Sequence, residues 1–305
     1  MPHAATARHA GRVHRIAIAT AAEVSTLDDE GRHLLAALVD AGLEVEPAVW
    51  DDADVDWSSY DAVVVRSTWD YPRRLTEFLD WAARVAERTL LLNDVALLTW
   101  TTDKRYLLDL ERAGVPVVPS VFLEPGQPTE HPLLGLEHVV KPTVSAGSID
   151  TLRLGPDDPD RSRGLVEAIH ATGRTAMVQP YLADVDVSGE TALVYLDGVL
   201  SHAMRKGALL EAGAELHDGL YAQEQIDPRD ATPEEAAVGE AALAAVAALP
   251  ERAGALPPLY ARVDLLGSPE GPVVLEVELA EPSLFLDLAP GSAQRFAEAV
   301  RRRLG

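Results

Sequence analysis

The sequence predicts an α/β domain with a parallel sheet, followed by an α+β region in two subdomains. Two observations carry this prediction. In the first third of the 305-residue chain, short apolar strands alternate with helical patterns, which is typical of a parallel sheet with helices on both faces. In the remainder, strand patterns occur in pairs joined by turn residues, which indicates antiparallel hairpins.

The first domain is expected over residues 13–97, after a disordered extension at residues 1–12. Its strands are predicted at residues 15–20, 43–50, 62–66 and 90–93. The third of these is continuously apolar, so we expect it to be buried on both faces. A first helix begins near residues 26–30 and ends at Gly42, and a second covers residues 75–87.

The second region is expected to form a central subdomain over residues 98–182 and a C-terminal subdomain over residues 183–305. Helices are predicted at residues 102–113, 160–172, 233–248 and 291–304. Strands are predicted at residues 117–123, 138–141, 151–154, 176–179, 191–195, 199–204, 260–266 and 272–279. The turn Asp197-Gly198 marks one hairpin, and the polar residues 207–229 are predicted to form a long loop.

The composition excludes several classes of protein. With 26 basic and 49 acidic residues, the formal net charge is −23, which argues against a nucleic-acid-binding protein and against docking on an anionic membrane. Cysteine is absent, so disulfides, thiolate catalysis and cysteine-ligated zinc are excluded. No apolar run approaches the ~20 residues of a membrane span, and the N-terminal residues lack the core of a signal peptide, so we expect a cytoplasmic protein.

Acidic residues alternate along the last predicted hairpin. Arg262 and Asp264 lie two apart on one strand, and Glu276 and Glu278 lie two apart on the next. Residues at this spacing project from the same face of a strand. Carboxylates among apolar neighbours are costly unless they are paired or bind a metal, and oxygen ligands of this kind suit Mg²⁺. The alternative is a surface face of the hairpin that carries an Arg–Glu pair.

Only three of the basic residues are lysines, Lys104, Lys141 and Lys206, and none lies in a P-loop pattern. Lys141 and Lys206 end predicted strands beside loops, where binding sites are often built. The loop that follows Lys141, residues 143–148, is small and rich in hydroxyl groups, and can present backbone N–H groups to phosphates. A lysine is a compact charge that fits a phosphate oxygen. The alternative is that the three lysines are unrelated surface residues.

Taken in order, these features resemble the ATP-grasp superfamily over most of residues 13–305. The resemblance implies that Lys104 and Lys141 contact the phosphates of ATP, that Ser145 lies in the loop over them, and that Lys206 contacts the γ-phosphate. It implies a further set of nucleotide contacts, with adenine held at Gln179, Tyr181 and Leu182 and the ribose at Glu190. Only Gly147 represents the usual glycine-rich loop.

The same resemblance implies that Arg262 is a catalytic, charge-stabilising residue together with Lys206, and that Asp264, Glu276 and Glu278 bind Mg²⁺, with Mn²⁺ as an alternative ion. Glu278 departs from the superfamily, which usually has asparagine at this place. The phrases at residues 66–72, 102–107, 201–206 and 275–285 resemble, more narrowly, the O-ureido-serine cyclo-ligases of cycloserine biosynthesis. This implies an ATP-dependent carboxylate–amine ligase that forms an acyl phosphate and closes O-ureido-D-serine into D-cycloserine, releasing ADP, phosphate, CO₂ and ammonia.

A small amino-acid-like carboxylate is therefore the expected substrate. Candidate substrate-binding residues follow the third strand, where open parallel sheets place ligands, or lie near the lysine and carboxylate sites; they are Arg66, Ser67, Thr68, Asp70, Arg205, Glu281 and Ser283. The alternative for the residues after the third strand is a helix cap at Asp70 and aromatic packing of Trp69 and Tyr71.

Two other functions remain open from the sequence. One is an intermolecular ligase that joins an amino acid to an amine or a peptide, which would need a second substrate for ADP formation. The other is a nucleotide-binding scaffold without catalysis, which has no need for three lysines and three carboxylates together. By analogy with related enzymes, we expect a homodimer.

Overall fold

The computed structural model describes residues 12–210 and 225–305. Its first layer is a parallel sheet in the order β2-β1-β3-β4. The elements of this layer are β1 (Arg15–Thr20), α1 (Asp29–Asp40), β2 (Glu44–Val49), β3 (Ala62–Ser67), α2 (Leu75–Ala86) and β4 (Leu90–Leu92). Every residue of β3 is buried, as its continuous apolar sequence predicts, because helices cover both faces of the sheet. The predicted extension lies outside the described residues except for Arg12.

A second, antiparallel sheet has the order β5-β8-β6-β7 and packs against α5. The elements from the end of the first layer to this sheet are α3 (Val95–Thr101), α4 (Leu107–Arg112), β5 (Val121–Leu123), β6 (His138–Pro142), β7 (Leu152–Leu154), α5 (Pro159–Ala171) and β8 (Ala176–Pro180). The predicted strand at residues 117–123 is wrong in its first half. Pro119 has no N–H to donate, so regular pairing starts only at Val121.

The single helix predicted at residues 102–113 is also wrong. A helix that the prediction missed, α3, begins where the Asp94 side chain accepts the N–H of Leu97. A separate 3₁₀ turn over Lys104–Tyr106 begins where Asp103 accepts the N–H of Arg105. Local side-chain acceptors therefore interrupt the helix and place Lys104 in a turn.

The third sheet is antiparallel, with the order β11-β10-β9-β12-β13. Its strands and the helices around it are α6 (Val185–Ser188), β9 (Glu190–Leu196), β10 (Val199–Lys206), β11 (Ile226–Arg229), α7 (Pro233–Ala247), β12 (Tyr260–Ser268), β13 (Gly271–Glu278) and α8 (Ser292–Leu304). The predicted loop at residues 207–229 is wrong at its end, because β11 pairs with the edge of β10. Residues 211–224 lie outside the described residues.

The first and third sheets are joined by buried contacts. Asn93, directly after β4, donates to the carbonyl oxygens of Tyr260 and Leu279 at 2.9 and 2.8 Å and accepts from Leu259 N–H at 2.7 Å. One apolar core contains residues of α1, α8 and both sheets. The fold is thus the predicted parallel-sheet domain followed by an α+β region. Among the described residues, no helix is long and apolar enough to cross a bilayer.

Candidate active site

A cavity of about 720 Å³ is lined by residues that belong to or adjoin all three sheets. This volume is typical of a small-molecule site. Predicted site residues that line it are Lys104, Lys141, Ser145, Gln179, Tyr181, Leu182, Glu190, Lys206, Arg262, Glu276, Glu278, Glu281 and Ser283. Asp264 is buried and bonded to two of these side chains, Arg262 and Lys206.

The register of β12 and β13 brings three carboxylates together. Asp264 lies opposite Glu276, and Arg262 lies opposite Glu278. The pairing then shifts, with Leu265 opposite Val274, so Leu275 is the extra residue of a β-bulge and lines the cavity. Oxygen atoms of Asp264, Glu276 and Glu278 lie within 4.8 Å of one another. The alternative of a surface-exposed hairpin face is therefore wrong.

Arg262 connects this group. Its Nε and Nη2 donate to the two carboxylate oxygens of Asp264 at 2.8 and 2.9 Å. Nη2 also donates to Glu278 at 2.7 Å, and Nη1 donates to the carbonyl oxygen of Ser283 at 3.1 Å. These hydrogen bonds hold the planar guanidinium in one orientation beside the carboxylates, so its positive charge has a fixed position.

The three lysines converge on the same carboxylates from different elements. Lys206 Nζ, at the end of β10, donates to Glu190 at 2.8 Å and to Asp264 at 2.9 Å. Lys104 Nζ donates to the carbonyl oxygen of Ser145 at 3.0 Å and lies 3.3 Å from Glu276. Lys141 lies in β6 and is buried. The alternative of unrelated surface lysines is wrong.

These charges shift one another's pKa. Burial alone would raise the pKa of Glu276, but the charges of Lys104, Lys141 and Lys206 outweigh burial and hold it well below its usual range. Burial raises the pKa of Glu278 well above its usual range, against the opposing charge of Arg262. Burial also lowers the pKa of Lys141 to about 8. The neighbouring charges therefore favour the ionised form of Glu276, whereas burial favours the protonated form of Glu278.

The donor set fits a hard divalent cation. Three carboxylates offer oxygen ligands within one coordination sphere of each other, and Mg²⁺ is usually held by one or two carboxylates plus phosphate oxygens. The lysines fit the phosphates, since ammonium groups at a buried site need anionic partners. The residues present therefore suit ATP with a divalent metal.

One end of the cavity is apolar. Val118, Val139 and Leu266 line it beside residues 180–182. The Gln179 side chain donates to Ser120 Oγ at 2.9 Å. The Tyr181 ring packs under the guanidinium of Arg153, 3.5 Å from the ring centroid. The apolar walls and the strand end between them suit a flat heterocycle such as adenine.

The loop at residues 143–148, which the sequence predicts to present N–H groups to phosphates, is tightly turned. Gly147 and Ser148 both have left-handed backbone, with φ of 61° and 60°. Ser145 is buried, and its hydroxyl donates to the carbonyl oxygen of Pro142 at 3.4 Å. Consecutive residues in turned conformations can direct N–H groups toward an anion.

Another part of the cavity wall contains aromatic and polar side chains. Glu281 and Ser283 line it, together with Trp69, Tyr71 and Asp28, which the sequence reasoning missed as site residues. Trp69 Nε1 donates to the carbonyl oxygen of Glu281 at 3.2 Å. Burial raises the pKa of Glu281 to about 7, against the opposing charge of Lys104. Trp69 and Tyr71 could have been found from the sequence, because they are adjacent to the substrate candidates that follow β3.

The other substrate candidates do not line the cavity. Arg66 is buried, and its Nη2 donates to Glu30 at 2.6 Å. The same Glu30 carboxylate accepts the N–H groups of Leu284 and Phe285 at 2.9 to 3.0 Å. The segment from Glu281 to Phe285 contributes to the cavity wall, and Arg66 is tied to it through Glu30.

The remaining candidates have partners or positions of their own. Ser67 Oγ lies 2.9 Å from Thr20 Oγ1, and Thr68 is fully buried. Asp70 accepts Trp50 Nε1–H at 2.9 Å and makes no side-chain helix cap, so the alternative interpretation of a cap is wrong. Arg205 donates to the carbonyl oxygens of Ser188 and Val187. None of them reaches the cavity lining in the described structure.

Known proteins match this chain along nearly its whole length. A family profile described as D-cycloserine synthetase DcsG, N-terminal domain, matches residues 16–93. The chain is 38% identical over 298 residues to the cycloserine biosynthesis protein DcsG of Streptomyces lavendulae, covering 95% of this chain and 98% of that protein.

Solved structures extend the comparison to the fold. The crystal structure of D-cycloserine synthetase DcsG matches with a TM-score of 0.87 at 37% identity, covering 95% of this chain and all of that one. A D-alanine–D-alanine ligase from Bacillus anthracis, complexed with ATP, matches with a TM-score of 0.69 at 16% identity, covering 96% and 97% of the two chains. At that identity it shows a shared fold only.

Proposed function

The chain belongs to the D-cycloserine synthetase family and is an ATP-dependent ligase of the ATP-grasp fold, and from this premise we propose that it closes O-ureido-D-serine into D-cycloserine. The reaction consumes ATP and water and yields ADP, phosphate, CO₂ and ammonia. The observation that carries the proposal is the convergence of three lysines and three carboxylates at one cavity, whose wall includes both apolar residues and polar or aromatic ones.

The first step is phosphorylation of the substrate carboxylate. A carboxylate oxygen attacks the γ-phosphorus, the bond to the β-phosphate oxygen breaks, and ADP leaves. Such transfers need positioning and charge neutralisation rather than a protein nucleophile. Lys104, Lys141 and Lys206 supply the positive charge at the phosphates. Mg²⁺, for which Asp264, Glu276 and Glu278 would be the ligands, supplies further neutralisation of the phosphate charge when bound.

The second step is ring closure. The ureido nitrogen attached to the substrate oxygen attacks the acyl carbon, and phosphate leaves with the C–O electron pair. Arg262 lines the cavity and is fixed by Asp264 and Glu278, so its charge can stabilise the tetrahedral oxyanion. Attack within one molecule needs the protein only to fold the substrate into reach. Hydrolysis of the carbamoyl group then yields CO₂ and ammonia.

The test is an ADP-release assay with O-ureido-serine of both hands, amino acids and dipeptides, followed by mass analysis of the products. We expect Mg²⁺-dependent ADP release and a cycloserine mass with the D-substrate alone. Lys141→Ala and Glu276→Gln should abolish both signals, because they remove a phosphate contact and a metal ligand. Glu111→Gln, on the exposed end of α4, is the matched control and should retain them.

Other outcomes would contradict the proposal in distinct ways. Release of AMP and pyrophosphate would exclude the acyl phosphate. ADP release only in the presence of a second amine would indicate the intermolecular ligase. Stabilisation by ATP with Mg²⁺ without any ADP release, whichever substrate is added, would indicate the nucleotide-binding scaffold. The homodimer and the cytoplasmic location stay predictions of the sequence.

A further inference from the structure

We propose that Glu281 is the catalytic base of ring closure, which takes the proton from the attacking ureido nitrogen. This inference rests on the proposed function and extends it, because the lysines and the metal ligands account for phosphorylation and leave the nitrogen without a proton acceptor. The attacking group is an N–H of weak acidity. Its nucleophilicity depends on a positioned base.

The backbone that carries Glu281 is held from three sides. Trp69 Nε1, just beyond β3, donates to the carbonyl oxygen of Glu281 at 3.2 Å. Arg262 Nη1, on β12, donates to the carbonyl oxygen of Ser283 at 3.1 Å. Glu30, on α1, accepts the N–H groups of Leu284 and Phe285. A base must be held close to its productive geometry, and these contacts provide that.

The carboxylate of Glu281 is separate from the metal-binding group. It lies three residues beyond Glu278 and lines the cavity, as Tyr71 does, and the Tyr71 hydroxyl acts on its pKa. The charged groups around it are Lys104 from the 3₁₀ turn, Glu276 from β13 and Arg262 from β12. Glu281 therefore lines the same cavity as Lys104, which holds phosphate in the proposed reaction, and Arg262, which faces the oxyanion.

The electrostatics of Glu281 are suited to proton transfer at neutral pH. Burial raises the pKa of its carboxyl to about 7, with the charge of Lys104 and the Tyr71 hydrogen bond acting in the opposite direction. A general base is most effective when its pKa lies near the working pH. As the C–N bond forms, the proton passes from nitrogen to Glu281 and the phosphate leaves with the C–O electron pair. The protonated carboxyl then returns its proton to water.

The experiment separates phosphorylation from ring closure. Wild type and Glu281→Gln are assayed with ATP, Mg²⁺ and O-ureido-D-serine, and ADP and cycloserine are both quantified. In parallel, hydroxylamine traps the acyl phosphate as a hydroxamate. In the variant, we expect hydroxamate formation within about threefold of wild type and a cycloserine-to-ADP ratio at least ~100-fold lower, since general-base catalysis contributes about 10²–10⁴-fold. Glu270→Gln, at the exposed tip of the β12–β13 hairpin, is the matched control.

The pH profile gives a second readout. Below pH 7 the wild-type ring-closure rate should fall about tenfold per pH unit as Glu281 becomes protonated, whereas the residual rate of Glu281→Gln should be independent of pH over that range. Glu281→Asp keeps a carboxylate on a shorter side chain and should recover part of the ratio. The melting temperature of Glu281→Asp, measured with and without ATP, shows whether the variant still folds and binds the nucleotide.

Three outcomes would overturn the inference. Equal loss of hydroxamate and cycloserine in Glu281→Gln would show that Glu281 acts in binding or phosphorylation, as a contact to the substrate ammonium group would. An unchanged cycloserine-to-ADP ratio would show that it takes no proton. Hydroxamate without cycloserine in the wild type would overturn the proposed function itself, and the base with it.

Discussion

Replacing Glu30 by alanine should destabilise the protein by about 4 kcal/mol, because it leaves the Arg66 guanidinium buried without its acidic partner. The Glu30 carboxylate accepts Arg66 Nη2–H and the N–H groups of Leu284 and Phe285. The other two guanidinium nitrogens of Arg66, Nε and Nη1, have no hydrogen-bond partner among the described residues. In the Glu30→Ala variant, the Arg66 guanidinium therefore has no second acceptor that could replace the lost carboxylate.

The magnitude follows from the burial of both partners. The side chains of Arg66 and Glu30 are only 6% and 9% exposed, and removal of one partner from such a pair costs about 3–5 kcal/mol. At about 2.1 cal/mol/K per residue, unfolding of the 305-residue chain has an entropy of about 0.64 kcal/mol/K. A loss of about 4 kcal/mol therefore lowers Tm by about 6 °C.

The assay is calorimetric melting of wild type, Glu30→Ala, Arg66→Ala and the double variant. Burial raises the pKa of Glu30 against the opposing charge of Arg66, so the melts are run at alkaline pH, which favours the ionised carboxylate. The loss in the free energy of unfolding of the double variant should be much smaller than the sum of the losses of the two single variants. A coupling energy below about 0.5 kcal/mol would refute the reasoning, because independent sites add to within that margin. Glu77→Ala, from the exposed pair with Arg74, should leave Tm unchanged.

Three further predictions concern the nucleotide and metal site. Because burial lowers the pKa of Lys141 to about 8, its charge is lost above that pH, and the Kd for ATP measured by titration calorimetry should rise about fivefold between pH 8 and pH 9. Glu278→Asn should keep ligase activity but raise the Mg²⁺ concentration for half-maximal ADP release about tenfold, since one anionic ligand is removed. Gly189→Ala should weaken ATP binding and lower Tm, because residue 189 has φ of +74° and a Cβ would lie 2.3 Å from the carbonyl oxygen of Lys206.

Each of these has a control and a contrary outcome. Lys141→Arg stays charged at these pH values, so its affinity should not depend on pH; a wild type equally insensitive to pH would contradict the first prediction. An unchanged Mg²⁺ requirement in Glu278→Asn would show that Glu278 is not a ligand. Gly164→Ala, in α5 with open space around its Cβ, should raise stability by about 0.5–1 kcal/mol. A Gly189→Ala variant that melts like wild type would show that the contact is relieved easily.

Local patterns determined most of the secondary structure and one part of the site. The side-chain period along a strand is two, so Arg262 with Asp264, and Glu276 with Glu278, had to share faces whatever their neighbours were. Continuous apolar sequence fixed β3 as a buried strand. Where local acceptors compete with the helix, as at Asp103, the same reasoning failed. The edge strand β11 was missed because Asp227-Pro228 carries no strand signal and pairing with β10 alone forms it.

The sequence by itself thus determined which side chains were available and on which strand faces, including the three lysines and the carboxylates of β12 and β13. Only the tertiary structure decided that Lys104, Lys141 and Lys206 meet those carboxylates, since they come from a 3₁₀ turn and two different sheets. It also decided that Arg66 lies out of the cavity lining, bonded to Glu30, while Glu281 lines the cavity. The physical reason is that periodicity acts between near neighbours, whereas these contacts depend on how whole sheets pack.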